Sequence, residues 1–187
     1  KQHLELARDI AQKFNNDFCP EDTPLFTLPE PYIPPQAARI MSLRNGSAKM
    51  SKSDPSEMSR IDLIDDADTI MKKIKKAKTD AEPLPSEVAG LEDRAEALNL
   101  VTIYAAMTGG TLESVLSDFG GEGFGKFKPA LGEVLVETLA PISAKFRELK
   151  SDRESLDAIL ARGAAKARDI GADTLRGTYD ALGLIRG

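Results

Sequence analysis

"AKMSKSDPSE", residues 48–57, divides the chain into two halves of different character. It sets Lys49 and Lys52 three apart among the hydroxyls of Ser51 and Ser53, and then gives a helix-start signal. That signal is Asp54-Pro55-Ser56-Glu57: a capping carboxylate, a proline at the first helical position and a glutamate three residues past the cap. Residues 1–53 read as a mixture of helix, extended pieces and loop, and residues 54–187 as almost wholly helical. The fold class is therefore mainly α, a helical bundle behind a short α/β segment, with a division at 53/54.

Upstream of the dividing stretch, "KQHLELARDIAQKFN" is helical from its first residues, with Leu4, Ala7, Ile10, Ala11 and Phe14 as an apolar stripe. No capping residue precedes it, which reads as a piece of a longer chain. Six prolines between Pro20 and Pro35 exclude a helix there and leave room only for short extended pieces such as Leu25 to Leu28. "ARIMSL", residues 38–43, fits a brief buried strand, and Asn45-Gly46 marks the turn after it.

Downstream, Asp65, Asp66 and Asp68 open a helix that Lys72, Lys73, Lys75, Lys76 and Lys78 close, the charge order that a helix dipole favours. Its apolar stripe is Ala67, Ile70, Met71, Ile74 and Ala77. A further helix runs from about Leu91 to Thr108 and stops at Gly109-Gly110, where Thr111 caps the next. A long helix follows the glycines of residues 120–125, with Leu131, Leu135, Leu139 and Ile142 inward and a bend expected at Pro141. Ser151-Asp152-Arg153-Glu154 opens a last helix reaching about Leu182. Five or so helices with short connections argue for a bundle.

Composition narrows the function classes. A net charge of −5 over 187 residues rules out a chain that binds polyanions by bulk charge, so nucleic acid has to be met by local basic patches. The one cysteine, Cys19, cannot form an intramolecular disulfide and fits a reducing compartment such as the cytoplasm. No apolar run has the length of a membrane span. No cluster of Asp, Glu and His has the spacing of a protein-held metal site.

Two stretches carry phosphate-like signals. "GGEGFGK", residues 120–126, matches G-x4-G-K, but Phe127 stands where a magnesium-binding hydroxyl belongs and no strand precedes it. It reads as a glycine turn between helices. The lysine stretch is different: Lys49 and Lys52 are compact charges on flexible stems, and Gly46 lets the chain bend. Such a loop can close over a triphosphate and neutralise charge as pyrophosphate departs, which is electrostatic rather than covalent catalysis. The plainer reading of the same letters is a solvated loop leading into a helix.

The order of the letters favours the first. "KMSKS", residues 49–53, is the signature of class I aminoacyl-tRNA synthetases without a substitution. "ARIMSL" upstream, "SDP" directly after it and "DDADTIMKKIKKAKTD" resemble the bacterial-type tryptophanyl-tRNA synthetase family, as do the opening helix and "GFGKFKPALGEVLVETLAPI". The resemblance implies that residues 1–53 end a Rossmann-like nucleotide-binding domain and that residues 54–187 form a helical anticodon-binding domain. It implies that Lys49, Met50, Ser51, Lys52 and Ser53 bind ATP in a mobile loop, with Ile40 against adenine or ribose, and that Lys49 and Lys52 are catalytic. Magnesium would arrive with ATP, tRNA and tryptophan would be the other partners, and the intact enzyme would be a homodimer.

A class I site also needs a HIGH-type motif, in which His and Gly at a helix start meet the phosphates. The single histidine, His3, has no glycine beside it and reads as a helix-surface or packed residue. This polypeptide is therefore expected to hold half of an active site and to be inactive alone. A tyrosyl-type synthetase, a non-catalytic helical RNA-binding module and a helical interaction protein are the competing readings. Basic residues of the last helix, Arg162, Lys166, Arg168 and Arg176, are candidate tRNA phosphate contacts, with a solvated helix face as the plainer reading. The lysine run 72–78 has the same two readings, and Tyr104 is assigned to the core.

Overall fold

The computed structural model describes residues 2–32 and 39–185. Lys1, Pro34, Pro35 and the Ala38 end of the expected strand lie outside them. Six α-helices and a two-stranded antiparallel sheet make up the described chain: α1 (Gln2–Phe18), β1 (Met41–Ser42), β2 (Asn45–Lys49), α2 (Ala67–Lys75), α3 (Ala95–Thr108), α4 (Leu112–Phe119), α5 (Phe124–Ser151) and α6 (Arg153–Leu182). Contacts gather them into two compact units, one of residues 1–33 with 152–187 and one of 34–151.

The 34–151 unit holds the main core. Ile70 and Ile74 of α2, Leu100 and Val101 of α3, Val115 and Leu116 of α4, and Phe127, Leu131 and Leu135 of α5 bury together, with Leu43 of the β1–β2 turn among them. Phe127 is the largest fully buried side chain and packs with Tyr104 and Phe119, ring centroids 5.1–5.7 Å apart. Leu43 thus ties the hairpin to the helices, and the division at 53/54 is not a boundary between contact units.

Several local readings hold and several are corrected. Asp66 caps α2 by accepting from the Thr69 amide at 2.8 Å, and Thr111 and Ser114 form a reciprocal capping box on α4. Gly109 ends α3 in the left-handed conformation, φ 71°. The glycine turn after α4 is held, since the Gly121 amide donates to Leu84 O and the Leu84 amide to Glu122 O.

Asp54-Pro55-Ser56-Glu57 does not start an α-helix; only a 3-10 turn at Glu57–Ser59 forms there. The Asp54 carboxylate accepts from the Ser56 amide instead, and Ser59 is drawn inward, its carbonyl taking the Leu43 amide at 2.9 Å. Nor do Asn45-Gly46 make the turn. Leu43 and Arg44 turn the hairpin, and Asn45 and Gly46 begin β2. On α5, Ile142 points outward at 48% exposure, while Ser143 is buried and donates to Leu63 O at 2.6 Å. The helix runs through Pro129 and Pro141 without a break.

The other unit is built differently. Asn15, buried on α1, donates to Phe26 O at 2.8 Å and accepts from Phe26 N at 2.9 Å, fixing the proline-rich segment to the helix. Phe14 packs against Phe18 and Phe26. Leu25 meets α6 at Gly177, where an added Cβ would lie 2.7 Å from it. The stripe read on α1 is only partly used: Ala11 is buried, whereas Ile10 and Leu4 are exposed. Helix α6 buries no residue at all.

Candidate functional site

The lysine loop hangs from a hairpin whose position is set at several points. Asn99, buried on α3, grips Met41 twice: its Oδ1 accepts from the Met41 amide at 2.9 Å and its Nδ2 donates to the Met41 carbonyl at 2.8 Å. Those are the backbone groups that an edge strand leaves unpaired. Beyond them, the Lys78 amide donates to Leu43 O at 2.7 Å. Gly46 packs so close to the first turn of α3 that a Cβ there would lie 2.5 Å from Ala95 C and from Glu96 N. Only glycine lets strand and helix approach that far. Glu96 completes this corner with an ion pair to Lys78 at 2.9 Å, which, with backbone hydrogen bonds including one from Gly46, holds its carboxyl below the usual range.

From this base the chain enters the loop. The Met50 amide donates to Ile40 O at 3.0 Å, so two expected ATP-binding residues sit side by side across the hairpin, both partly buried against the core. The loop then closes on itself: the Ser53 amide donates to Ser51 Oγ at 3.2 Å and the Asp54 amide to Ser51 O at 3.3 Å. Arg60 stabilises the exit, donating to Asp54 O at 3.1 Å and pairing with Asp62 at 3.0 Å. Lys49, Ser51, Lys52 and Ser53 are all exposed, and neither lysine makes an ion pair among the described residues.

The geometry therefore presents two unpaired cations and two hydroxyls on a short loop whose roots are fixed. Fixed roots limit the conformational freedom lost when the loop meets an anion. Among the described residues no group of three or more His, Cys, Asp and Glu could hold a metal ion. His3 is exposed on α1.

The family described as "tRNA synthetases class I (W and Y)" matches residues 1–140. The chain belongs to that family. It is 60% identical to the tryptophan–tRNA ligase of Caulobacter vibrioides over 94% of its own length and 50% of that protein. With the tryptophan–tRNA ligase of Mesorhizobium japonicum it shares 52% over its whole length and 57% of that protein. Its fold matches the crystal structure of tryptophanyl-tRNA synthetase from Mycoplasma pneumoniae with a TM-score of 0.81 at 28% identity, over 99% of this chain and 56% of that one. The chain thus spans about half the length of the synthetases it matches.

The basic residues of the last helix are not gathered into one group. Arg162, Lys166 and Arg168 are exposed on α6, and Arg176 pairs with Asp173 at 3.0 Å. At 3.6 residues per turn, Arg162, Lys166 and Arg176 share a face, and Arg168 lies about a third of a turn away. The lysine run 72–78 divides in the same way. Lys73 is buried against Asp65 at 2.5 Å and Asp62 at 3.6 Å, and Lys78 is taken by Glu96, while Lys72, Lys75 and Lys76 stay exposed and unpaired among the described residues.

Asn99 was not singled out by sequence reasoning. The available signal was an amide alone among apolar residues in "EALNLVTIYAAM", where a buried Asn has to find backbone partners.

Proposed function

We propose that this chain carries the lysine-loop half of an ATP-dependent tryptophan-activating site, together with a helical domain that meets tRNA. In the reaction, an oxygen of the tryptophan carboxylate attacks the α-phosphorus of ATP. The bond to the β-phosphate breaks and pyrophosphate leaves, giving tryptophanyl-adenylate, from which the amino acid passes to the tRNA. Lys49 and Lys52 neutralise the charge that builds on the departing pyrophosphate, and Ser51 and Ser53 donate to its oxygens. Met50 and Ile40, joined across the hairpin, form the wall against which adenine or ribose rests. Magnesium enters with ATP as part of the substrate.

The observation that carries this reading is the pairing of an unsubstituted KMSKS stretch with exposed lysines that make no ion pair among the described residues, on a fixed hairpin. Residues 1–53 then act as the end of the nucleotide-binding domain and 54–187 as the tRNA-binding part, with Arg162, Lys166, Arg168 and Arg176 as phosphate contacts. The intact enzyme works as a cytoplasmic homodimer.

The test is tryptophan-dependent exchange of labelled pyrophosphate into ATP, run on this polypeptide alone and on the same chain joined to its upstream residues. Exchange is expected only in the longer chain. In that chain Lys52→Ala should slow exchange about 100- to 1,000-fold, the scale of a lost transition-state donor, with the melting temperature nearly unchanged. Unaltered exchange in Lys52→Ala would end the loop assignment.

A further inference from the structure

The chain that leaves the lysine loop runs into a partly buried row of charges for which the activation chemistry has no direct use. Lys73 stands on the inner face of α2 beside Ile70 and Ile74, and its side chain is only 4% exposed. A lysine is rarely found so deep unless it is paired. Its ammonium meets Asp65 Oδ2 at 2.5 Å and Asp62 Oδ2 at 3.6 Å, and Asp65 Oδ2 also accepts from the Asp62 amide at 2.8 Å. The other oxygen of Asp62 accepts from Arg60 Nε at 3.0 Å. Arg60 Nη1 then reaches on to the carbonyl of Asp54 at 3.1 Å. Cations and carboxylates thus alternate from α2 to the first residue after KMSKS.

Stability alone does not call for this arrangement. A buried ion pair seldom outdoes well-packed apolar side chains, because desolvation offsets most of its attraction. What it supplies is a defined placement. The segment is already tied to the core elsewhere, since Ser59 O takes the Leu43 amide at 2.9 Å and Leu63 O takes the Ser143 hydroxyl at 2.6 Å. Arg60 carries that fixity back to the loop. The Asp54 amide closes the loop on Ser51 O at 3.3 Å while the Asp54 carbonyl rests on Arg60, so residues 51–54 form one turn hung on the guanidinium.

The two loop lysines are held from different sides. Lys49 ends β2, and the hairpin is placed by Asn99 and by the approach of Gly46 to α3. Lys52 lies beyond the hairpin, two residues before Asp54, so its position depends on the exit. We propose that Arg60 is a positioning residue for Lys52: anchored on Asp62, and through it on Lys73 of α2, it holds the Asp54 carbonyl and so fixes where the second loop lysine stands. The proposal rests on the reading above that Lys52 neutralises the departing pyrophosphate. A cation placed in advance loses less freedom when that charge develops.

Tryptophan-dependent pyrophosphate exchange in the longer chain, with its upstream residues, tests this through double-mutant cycles. Arg60→Met keeps the stem and removes both donors. It should lower kcat for exchange about 10- to 100-fold, the scale of a displaced rather than a missing group, with the KM for tryptophan and the melting temperature nearly unchanged. In a Lys52→Ala background the same change should cost no more than about threefold, because the group it places is gone. In a Lys49→Ala background it should keep its full effect. Arg60→Lys retains the charge beside Asp62 without the fork that spans both acceptors, and should behave as Arg60→Met does. Wild-type kcat in Arg60→Met, or equal losses in the two lysine backgrounds, would overturn the proposal while leaving the loop lysines their role. Full exchange in Arg60→Lys would also overturn it, since charge alone would then suffice. Unaltered exchange in Lys52→Ala would instead remove the reading on which it rests.

Discussion

Helices α5 and α6 follow one another in the chain and are nearly equal in length, 28 and 30 residues, yet they are used in opposite ways. Helix α5 buries Phe124, Phe127, Leu131, Gly132, Leu135 and Ser143, whereas α6 buries nothing and exposes Leu160, Ile170 and Leu175. The 34–151 unit owes its order to a continuous apolar core. The unit of residues 1–33 and 152–187 relies on one buried asparagine, a small aromatic cluster and local helix caps. An apolar stripe on a helix says which face prefers to be covered, and only a partner element decides whether it is.

Removal of core volume should break the symmetry between the two helices most sharply. Phe127→Ala is expected to destabilise the chain by about 3–5 kcal/mol, the usual loss for a fully buried aromatic, whereas Leu160→Ala should stay within about 0.5 kcal/mol. Urea unfolding followed by far-ultraviolet circular dichroism measures both. Equal losses would mean that α6 is packed as tightly as α5.

The two asparagine clamps sharpen the comparison at smaller scale. Asn99→Ala leaves both backbone groups of Met41 without partners beside the core and should cost about 2–3 kcal/mol, with Asn15→Ala nearer 1 kcal/mol because Asn15 lies outside the unit that holds the main core. Amide exchange at Met41 and at Phe26 reads the two sites separately. Faster exchange at Phe26 in Asn99→Ala than at Met41 would contradict the assignment.

The smallest effect concerns pH. Asp80 holds Arg94 with two hydrogen bonds, at 2.6 and 3.0 Å, and that contact keeps its carboxyl below the usual range. Glu96 is lowered likewise, first by Lys78. A lowered folded-state value means the stabilisation is complete above the unfolded carboxylate pKa of about 4 and is lost as pH falls through the folded value. Melting temperature should therefore decline below about pH 4, and Asp80→Asn should flatten part of that decline while leaving the neutral-pH slope unchanged.

How much was legible depended on how local the physics was. Asp66 and Thr111 act on amides three residues away, so their caps could be read from the letters. The helix start at Asp54-Pro55 failed because Ser59 O is taken by Leu43, sixteen positions earlier, which draws the chain into the core before a helix can form. Gly46 looked like turn chemistry, yet its lack of a side chain serves the approach of α3, about fifty positions away. The loop lysines were visible as a motif, but their exposure on a fixed hairpin was not.

The sequence by itself determined the mainly helical class, most helix bounds, the Thr111 cap, the KMSKS loop and the family it signals, because each rests on neighbours within a turn or on letters in fixed order. The tertiary structure alone decided that Leu43 and Asn99 tie the hairpin to the helical core, that Lys73 is buried while Lys72, Lys75 and Lys76 stay exposed, and that α5 is covered and α6 is not. Those outcomes turn on which distant surfaces meet, and burial and ion pairing are properties of that meeting rather than of any one stretch of chain.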